Sequence, residues 1–259
     1  MAVPQEKFII GNWKMNLSVA ASVALATEVK QNVSSLTPLQ QGAVQAWFAP
    51  SYFAVPAVAA AIKGTPLQVG SQNICGEEKG AFTGEVSAMM LQEIGAIFAL
   101  VGHSERRFFF EESNEQIALR VNGALTLGIT PVFCIGENLP EREQGKTHDI
   151  LHDQLAAVLL NLTPDESAKM IIAYEPVWAI GTGKTATPAL IQETHEFILE
   201  ACAELGAPNI RGLLYGGSVT PDNFAEILSV PGVHGGLVGG ASLQAASFSA
   251  LVEIAAAAA

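Results

Sequence analysis

The side chains best suited to chemistry in this chain stand where short apolar runs end. Asn12-Trp13-Lys14 lies at the end of the run 8–13, and Gly102-His103-Ser104-Glu105-Arg106-Arg107 follows 97–101. Glu175-Pro176 follows 170–174, while Gly216-Gly217-Ser218 and Gly239-Gly240 follow 212–215 and 235–238. A carboxylate, an imidazole and an ammonium gathered in one place can move protons and hold developing negative charge. Glycine-rich turns let an anion reach backbone N–H groups, and the start of a following helix adds partial positive charge. Together these residue types put a carboxylate, an imidazole and a cation beside turns that a phosphate would fit.

Taken singly, each residue also has a plainer reading. Glu175 is either a strand-end surface carboxylate or a base in a partly dehydrated mouth. His103 is either a structural histidine or an imidazole kept neutral by the positive start of the next helix, and so able to donate a hydrogen bond. Lys14 is a solvated cation, as most lysines are, or a fixed positive charge turned inward. A single Gly-Gly pair can serve only a tight turn, but two pairs on adjacent strands weigh toward an anion cradle. What decides is whether the fold gathers the strand ends.

Eight strand candidates can be read, at 8–13, 44–49, 67–71, 97–101, 131–135, 170–174, 212–215 and 235–238. Most are near-continuous apolar runs, the pattern of parallel strands covered on both faces. Helix signals separate them. Thr163-Pro164-Asp165-Glu166 offers a cap, a first-turn proline and a capping-box glutamate, and Thr187-Pro188 and Thr220-Pro221 open helices in the same way. Gly128 and Gly206 suit helix ends, so the helix after the sixth strand should span 188–205. A β-α unit repeated about eight times in about 250 residues predicts an α/β fold of the (β/α)8 TIM-barrel type, eight parallel strands surrounded by helices. One domain over 1–259 is the simplest organisation, and its site is expected at the C-terminal ends of the strands.

Composition narrows the partners. Of 259 residues, 49 % are hydrophobic and 15 % charged, which excludes intrinsic disorder. The net charge of −12 opposes nucleic acid and anionic membrane surfaces, so an anionic ligand has to be caught by local positive potential. No run of about 18 apolar residues occurs, and residues 1–5 lack a signal-peptide layout. Cys75, Cys134 and Cys202 are an odd, scattered set without metal-ligand spacing, as expected of free thiols in the cytoplasm. Cys134, at the exit of the fifth strand, reads as packing.

Gly181-Thr182-Gly183-Lys184-Thr185-Ala186 imitates both a dinucleotide fingerprint and the end of a P-loop. Neither survives its context: Trp178 stands where a P-loop needs glycine, and the helix begins only near Pro188. The stretch 176–184 is better read as a lid with an apolar centre that closes over a ligand.

Five segments resemble the triosephosphate isomerase family. They are Gly11-Asn12-Trp13-Lys14-Met15-Asn16, the Gly102 to Arg107 stretch, Ala173-Tyr174-Glu175-Pro176-Val177-Trp178-Ala179-Ile180-Gly181-Thr182-Gly183-Lys184, Tyr215-Gly216-Gly217-Ser218-Val219, and Leu237-Val238-Gly239-Gly240-Ala241-Ser242-Leu243. The resemblance spans nearly the whole chain. It implies reversible isomerisation of dihydroxyacetone phosphate and D-glyceraldehyde 3-phosphate through an enediolate, in glycolysis and gluconeogenesis, with no cofactor. By the same resemblance Glu175 matches the base, His103 the neutral electrophile, and Lys14 and Asn12 the groups that bind substrate and stabilise charge. Gly181, Ser218, Gly239 and Gly240 match the phosphate grip, and Glu105 a carboxylate that holds the others in position. The lid would keep the enediolate from expelling phosphate.

The loop 73–86, with Phe82, Thr83 and Glu85, resembles the family segment that inserts into a second subunit, which implies a homodimer. From composition alone, a long loop carrying Ala81-Phe82 is either an interface or a disordered excursion. One departure concerns stability: where the family usually pairs an Arg in the sixth helix with an Asp at the eighth strand, this chain has Leu199 and His234. The rival readings are another phosphate-binding barrel enzyme, such as an aldolase or epimerase, and a sugar-phosphate-binding barrel without turnover. Glu175 at the strand 6 exit and only 5 His in the chain disfavour the lysine aldolase and the metal epimerase. Intact Glu175 and His103 argue against the non-enzyme.

Overall fold

A computed structural model describes residues 6–180 and 186–259. Its eight strands are β1 Lys7–Asn12, β2 Val44–Ala49, β3 Gln68–Val69, β4 Phe98–Val101, β5 Thr130–Ile135, β6 Ile171–Tyr174, β7 Gly212–Tyr215 and β8 Gly235–Val238. All paired strands run parallel, in the order β3-β2-β1-β8-β7-β6-β5-β4. The two ends of that order meet. Ile97 N–H donates to the Val69 carbonyl at 3.0 Å, Ser71 N–H to that of Phe98 at 3.0 Å and Leu100 N–H to that of Ser71 at 2.9 Å, which closes the sheet into the expected barrel.

The sequence predicts the third strand as 67–71, whereas β3 keeps only two ladder residues, with Ser71 joining β4 through an isolated bridge. The helix expected to open at Thr163 does so with the full capping box, but it lasts one turn, Pro164–Ser167, before the chain enters β6. Thr187 caps Pro188–Glu204 as expected, and Leu205 and then Gly206, at φ 85°, end it.

Why the strands read as continuous apolar runs is clear from their two faces. Side chains alternate in direction along a strand. Phe8, Ile10, Trp47, Ala49, Phe98, Leu100, Val132, Cys134, Ile171, Ala173, Leu214 and Leu237 pack with one another in one buried cluster, which is the barrel interior. Their neighbours, among them Ile9, Phe48, Val101, Phe133, Ile172 and Tyr215, join a second cluster with the helices. Val19–Val33 packs against both Val55–Ile62 and Ala245–Ala257, so the outer layer also closes where the chain begins and ends.

The interior is filled, not hollow. Trp47 packs edge-on to Phe8 at 5.3 Å and stacks on Phe98 at 4.9 Å, and the Arg211 guanidinium lies over Phe8 and Trp47 while pairing with Glu6. That plug seals the end at which the strands begin. Access to the interior is therefore left to the end at which they stop.

Candidate active site

Strand parity places the key side chains. Asn12 is two residues past Ile10, and Glu175 is two past Ala173, so both continue inward-facing rows and both are buried. With Lys14, His103, Ile180, Gly216, Gly217, Ser218, Leu237, Gly239, Gly240 and Ala241 they line one cavity of about 290 Å³, large enough for a small substrate. The fold thus unites Asn12, Lys14, His103, Glu175, Ser218, Gly239 and Gly240 in a single mouth. Gly181 and the lid end Lys184 lie outside the described residues.

Glu175 is only 2 % exposed, yet its carboxylate is well supplied with donors. Oε2 accepts from Ser104 N–H at 2.9 Å, and Oε1 accepts from His103 Nε2 at 2.9 Å and from the Ser104 hydroxyl at 3.4 Å. Its two neighbouring strands make room for it with glycine. A Cβ at Gly136 would come within 1.8 Å of the Glu175 carbonyl oxygen, and one at Gly216 within 3.0 Å of Glu175 Cγ. Larger residues there would displace the carboxylate.

His103 caps the helix Ser104–Phe109, and its Nδ1 accepts from Glu105 N–H at 3.2 Å. That contact leaves Nδ1 without a proton and puts the ring hydrogen on Nε2, toward Glu175. Burial disfavours the imidazolium, but the Glu175 carboxylate, its hydrogen bond and then Glu105 outweigh burial and raise the His103 pKa from its ordinary value. While Glu175 is docked here, the ring is thus held by two opposed influences.

The Lys14 side chain is 28 % exposed, and its Nζ lies 2.6 Å from Glu105 Oε1 at the rim of the cavity. Its backbone is unusual, with φ at 51°, the left-handed region that non-glycine residues seldom occupy. Lys14 N–H donates to Asn12 Oδ1 at 3.0 Å. Glu105 therefore touches both partners, Lys14 through its carboxylate and His103 through its backbone N–H.

Two groups around the mouth have no role in the sequence reading. Ser104 lies within a quoted segment, but its backbone hold on Glu175 depends on a contact between β4 and β6 exits. Glu137 follows the exit of β5, so the strand-exit rule that singles out Glu175 would also have found it. It is fully buried, and its Oε1 accepts from Trp178 Nε1 at 2.9 Å, Tyr174 OH at 3.2 Å and Arg142 Nη1 at 3.1 Å. Burial and then the Glu137 charge push the Tyr174 phenol up, which keeps it a donor. The Arg142 guanidinium lies over the Trp178 ring at 4.9 Å. Glu137 so ties the strand that carries Glu175 to the segment that follows it, whose turn Val177–Ala179 begins beyond Pro176.

Cys75, Cys134 and Cys202 are free and buried, and burial pushes the Cys134 thiol well up. Phe82, Thr83 and Glu85 are exposed on their loop, and Glu85 pairs with Arg120 at 2.9 Å. Among the described residues no helix is long and apolar enough to cross a membrane.

Relatives match the same span. A sequence model of the triosephosphate isomerase family matches residues 7–255. Triosephosphate isomerase of Chloroflexus aurantiacus is 43 % identical over 248 residues, covering 95 % of this chain and 97 % of its own. That of Cupriavidus necator is 45 % identical over 249 residues, covering 95 % and 98 %. That of Endomicrobium trichonymphae is 42 % identical over 252 residues, covering 96 % and 98 %. A closed barrel of eight parallel strands with Glu175, His103 and Lys14 at its mouth, matched over at least 95 % of its length by these relatives, belongs to the triosephosphate isomerase family.

Proposed function

We infer that this chain interconverts dihydroxyacetone phosphate and D-glyceraldehyde 3-phosphate by proton transfer. The observation that carries the reading is the 2.9 Å contact between Glu175 and His103 Nε2, in a cavity that Lys14 and two glycine turns also line. Glu175 removes the proton from C1 of the ketone, which leaves an enediolate, and returns it to C2, which yields the aldehyde. His103 donates its Nε2 hydrogen to the carbonyl oxygen as negative charge builds there, and exchanges protons between the two oxygens. A neutral imidazole polarises the carbonyl by donating its hydrogen without first having to lose a proton to solvent.

Electrostatics support the assignment. Lys14 supplies a positive charge in a chain of net charge −12, with Asn12 beside it, at the place where the enediolate carries negative charge. Backbone at Ser218, Gly239 and Gly240, together with Gly181, receives the phosphate. Glu175 must leave Ser104 and His103 to reach carbon. Its departure removes the main influence that raises the His103 pKa, so burial and the helix start then favour the neutral ring. Closure of the lid 176–184 over the cavity would exclude water from the enediolate.

The working unit in this reading is a homodimer joined through the loop 73–86. Met15 at 96 %, Phe53 at 69 % and Phe82 at 48 % exposure are large apolar side chains that a partner subunit would cover. Three free, buried cysteines suit a reducing cytoplasm.

NMR of D-glyceraldehyde 3-phosphate with the protein in D₂O, beside Glu175→Gln, tests the chemistry. Interconversion with deuterium entering at C1, lost in the variant, is expected. No conversion with either protein would reduce the reading to a sugar-phosphate-binding barrel. Sedimentation across a dilution series tests the dimer, and a fully active monomer would overturn it.

A further inference from the structure

Gln72 stands at the exit of β3, outside the cavity lining, and its side-chain amide bridges two other strand exits. Nε2 donates to the Lys14 carbonyl at 2.8 Å and to the Ala49 carbonyl at 2.9 Å. A primary amide nitrogen carries two hydrogens, and both are used on acceptors that have none to offer, which fixes the orientation of the amide. Ala49 ends β2 and also accepts from Trp13 N–H at 3.1 Å, so this second anchor belongs to the barrel ladder.

What Gln72 holds is the strained point of the mouth. Lys14, with φ at 51°, occupies a backbone region that a side-chain-bearing residue abandons unless its surroundings over-determine it. The peptide before Lys14 is held by Asn12 Oδ1 and the peptide after it by Gln72. Clamped on both sides, the residue turns its side chain into the mouth, where Nζ meets Glu105.

We propose that Gln72 is a positioning residue for the isomerisation: its amide clamps the left-handed backbone of Lys14 to the end of β2 and thereby aims the Lys14 ammonium at the substrate. The proposal rests on the reading that Lys14 stabilises the enediolate. Gln72 touches no reacting atom. Without it the Lys14 backbone relaxes to an ordinary negative φ and carries the ammonium away from the mouth.

Steady-state kinetics of Gln72→Met, Lys14→Met and the double variant test this. Gln72→Met keeps the volume and removes both donors. It is expected to lower kcat/KM about 10²-fold, as a misplacement of about 1 Å can, with a melting temperature close to that of the parent because lost hydrogen bonds and released strain offset each other. In the Lys14→Met background the same change is expected to alter kcat/KM less than about twofold, since there is no ammonium left to aim. Parental kinetics in Gln72→Met, or its full factor recurring on top of Lys14→Met, would overturn the proposal. Gln72→Glu, which turns acceptors toward the two carbonyls, serves as the second variant if Gln72→Met does not fold. Lys14→Met with undiminished isomerisation would instead overturn the reading of Lys14 itself, a result distinct from either outcome at Gln72.

Discussion

His103 offers its two ring nitrogens in opposite senses: Nδ1 accepts from Glu105 N–H at 3.2 Å while Nε2 donates to Glu175 Oε1 at 2.9 Å. One proton on the ring satisfies both contacts. The helix start thus selects the tautomer, and the tautomer selects which nitrogen can polarise a carbonyl.

His103→Gln tests that chain of cause. Glutamine can donate to the carbonyl oxygen but cannot pass a proton between two oxygens. We expect kcat to fall by about 10²–10⁴-fold with a much smaller change in KM. Initial rates in both directions check it, and a kcat within a few-fold of the parent would remove His103 from the proton path.

Glu137 makes a separate prediction because three donors converge on one of its oxygens. Glu137→Gln keeps an acceptor but removes the charge that balances Arg142. We expect a loss of about 2 kcal/mol, less than for a fully buried pair because Arg142 is partly exposed. Urea unfolding measures the loss, and a shifted Trp178 indole resonance would report a loosened lid root.

How far the sequence carries depends on the kind of link. Glu175 and Asn12 are legible because strand parity needs only a strand boundary, and a barrel brings all strand ends to one face. The roles of Ser104, Gln72 and Glu137 are not, since each acts through a contact between elements distant in sequence: β4 to β6, β3 to β1, β5 to the lid. The two-residue β3 is likewise hidden, because the strand candidate 67–71 runs on through Gly70 and Ser71, past the point where the ladder gives way to one bridge.

Glu111 supplies a test of backbone strain away from the mouth. Its φ of 54° lies in the left-handed region, as does that of Lys14, but Glu111 is exposed and lines no part of the cavity. Glu111→Gly should relieve about 1 kcal/mol, partly offset by the greater freedom of glycine in the unfolded chain. The net expectation is a rise in melting temperature of about 1–3 °C with unchanged kinetics. Glu111→Val, β-branched and worse suited to positive φ, should move it the other way.

Leu199 and His234 stand where the family resemblance implies an Arg–Asp ion pair, and neither can form one here. Leu199 Cδ1 and His195 both border Gly232, and His234 Nδ1 accepts from Leu213 N–H at 2.8 Å. Leu199→Arg would place a cation here without a carboxylate at 234. We expect a cost of about 2 kcal/mol, recovered in part by adding His234→Asp. Unchanged melting of the single variant would show that the charge escapes to solvent.

Two buried histidines in this region predict how stability responds to acid. His195 is fully buried, with Nδ1 donating to the Gly232 carbonyl at 3.2 Å, and His234 is nearly so. Burial lowers both, His195 to about 4 with His234 contributing and His234 to about 4 with Lys7 contributing. Unfolded, each ring takes its proton near pH 6.5. Because the folded values are depressed, the unfolded chain binds more protons between pH 6.5 and 4, so stability is full above pH 6.5 and falls as pH drops through that window. The two rings together make the loss steep, on the order of 3 kcal/mol for each by the bottom of the window. Unfolding free energies at pH 7.5, 5.5 and 4.5 measure the slope. His195→Phe should make it shallower by about one proton, and an unaltered slope in that variant would assign the acid lability to other groups.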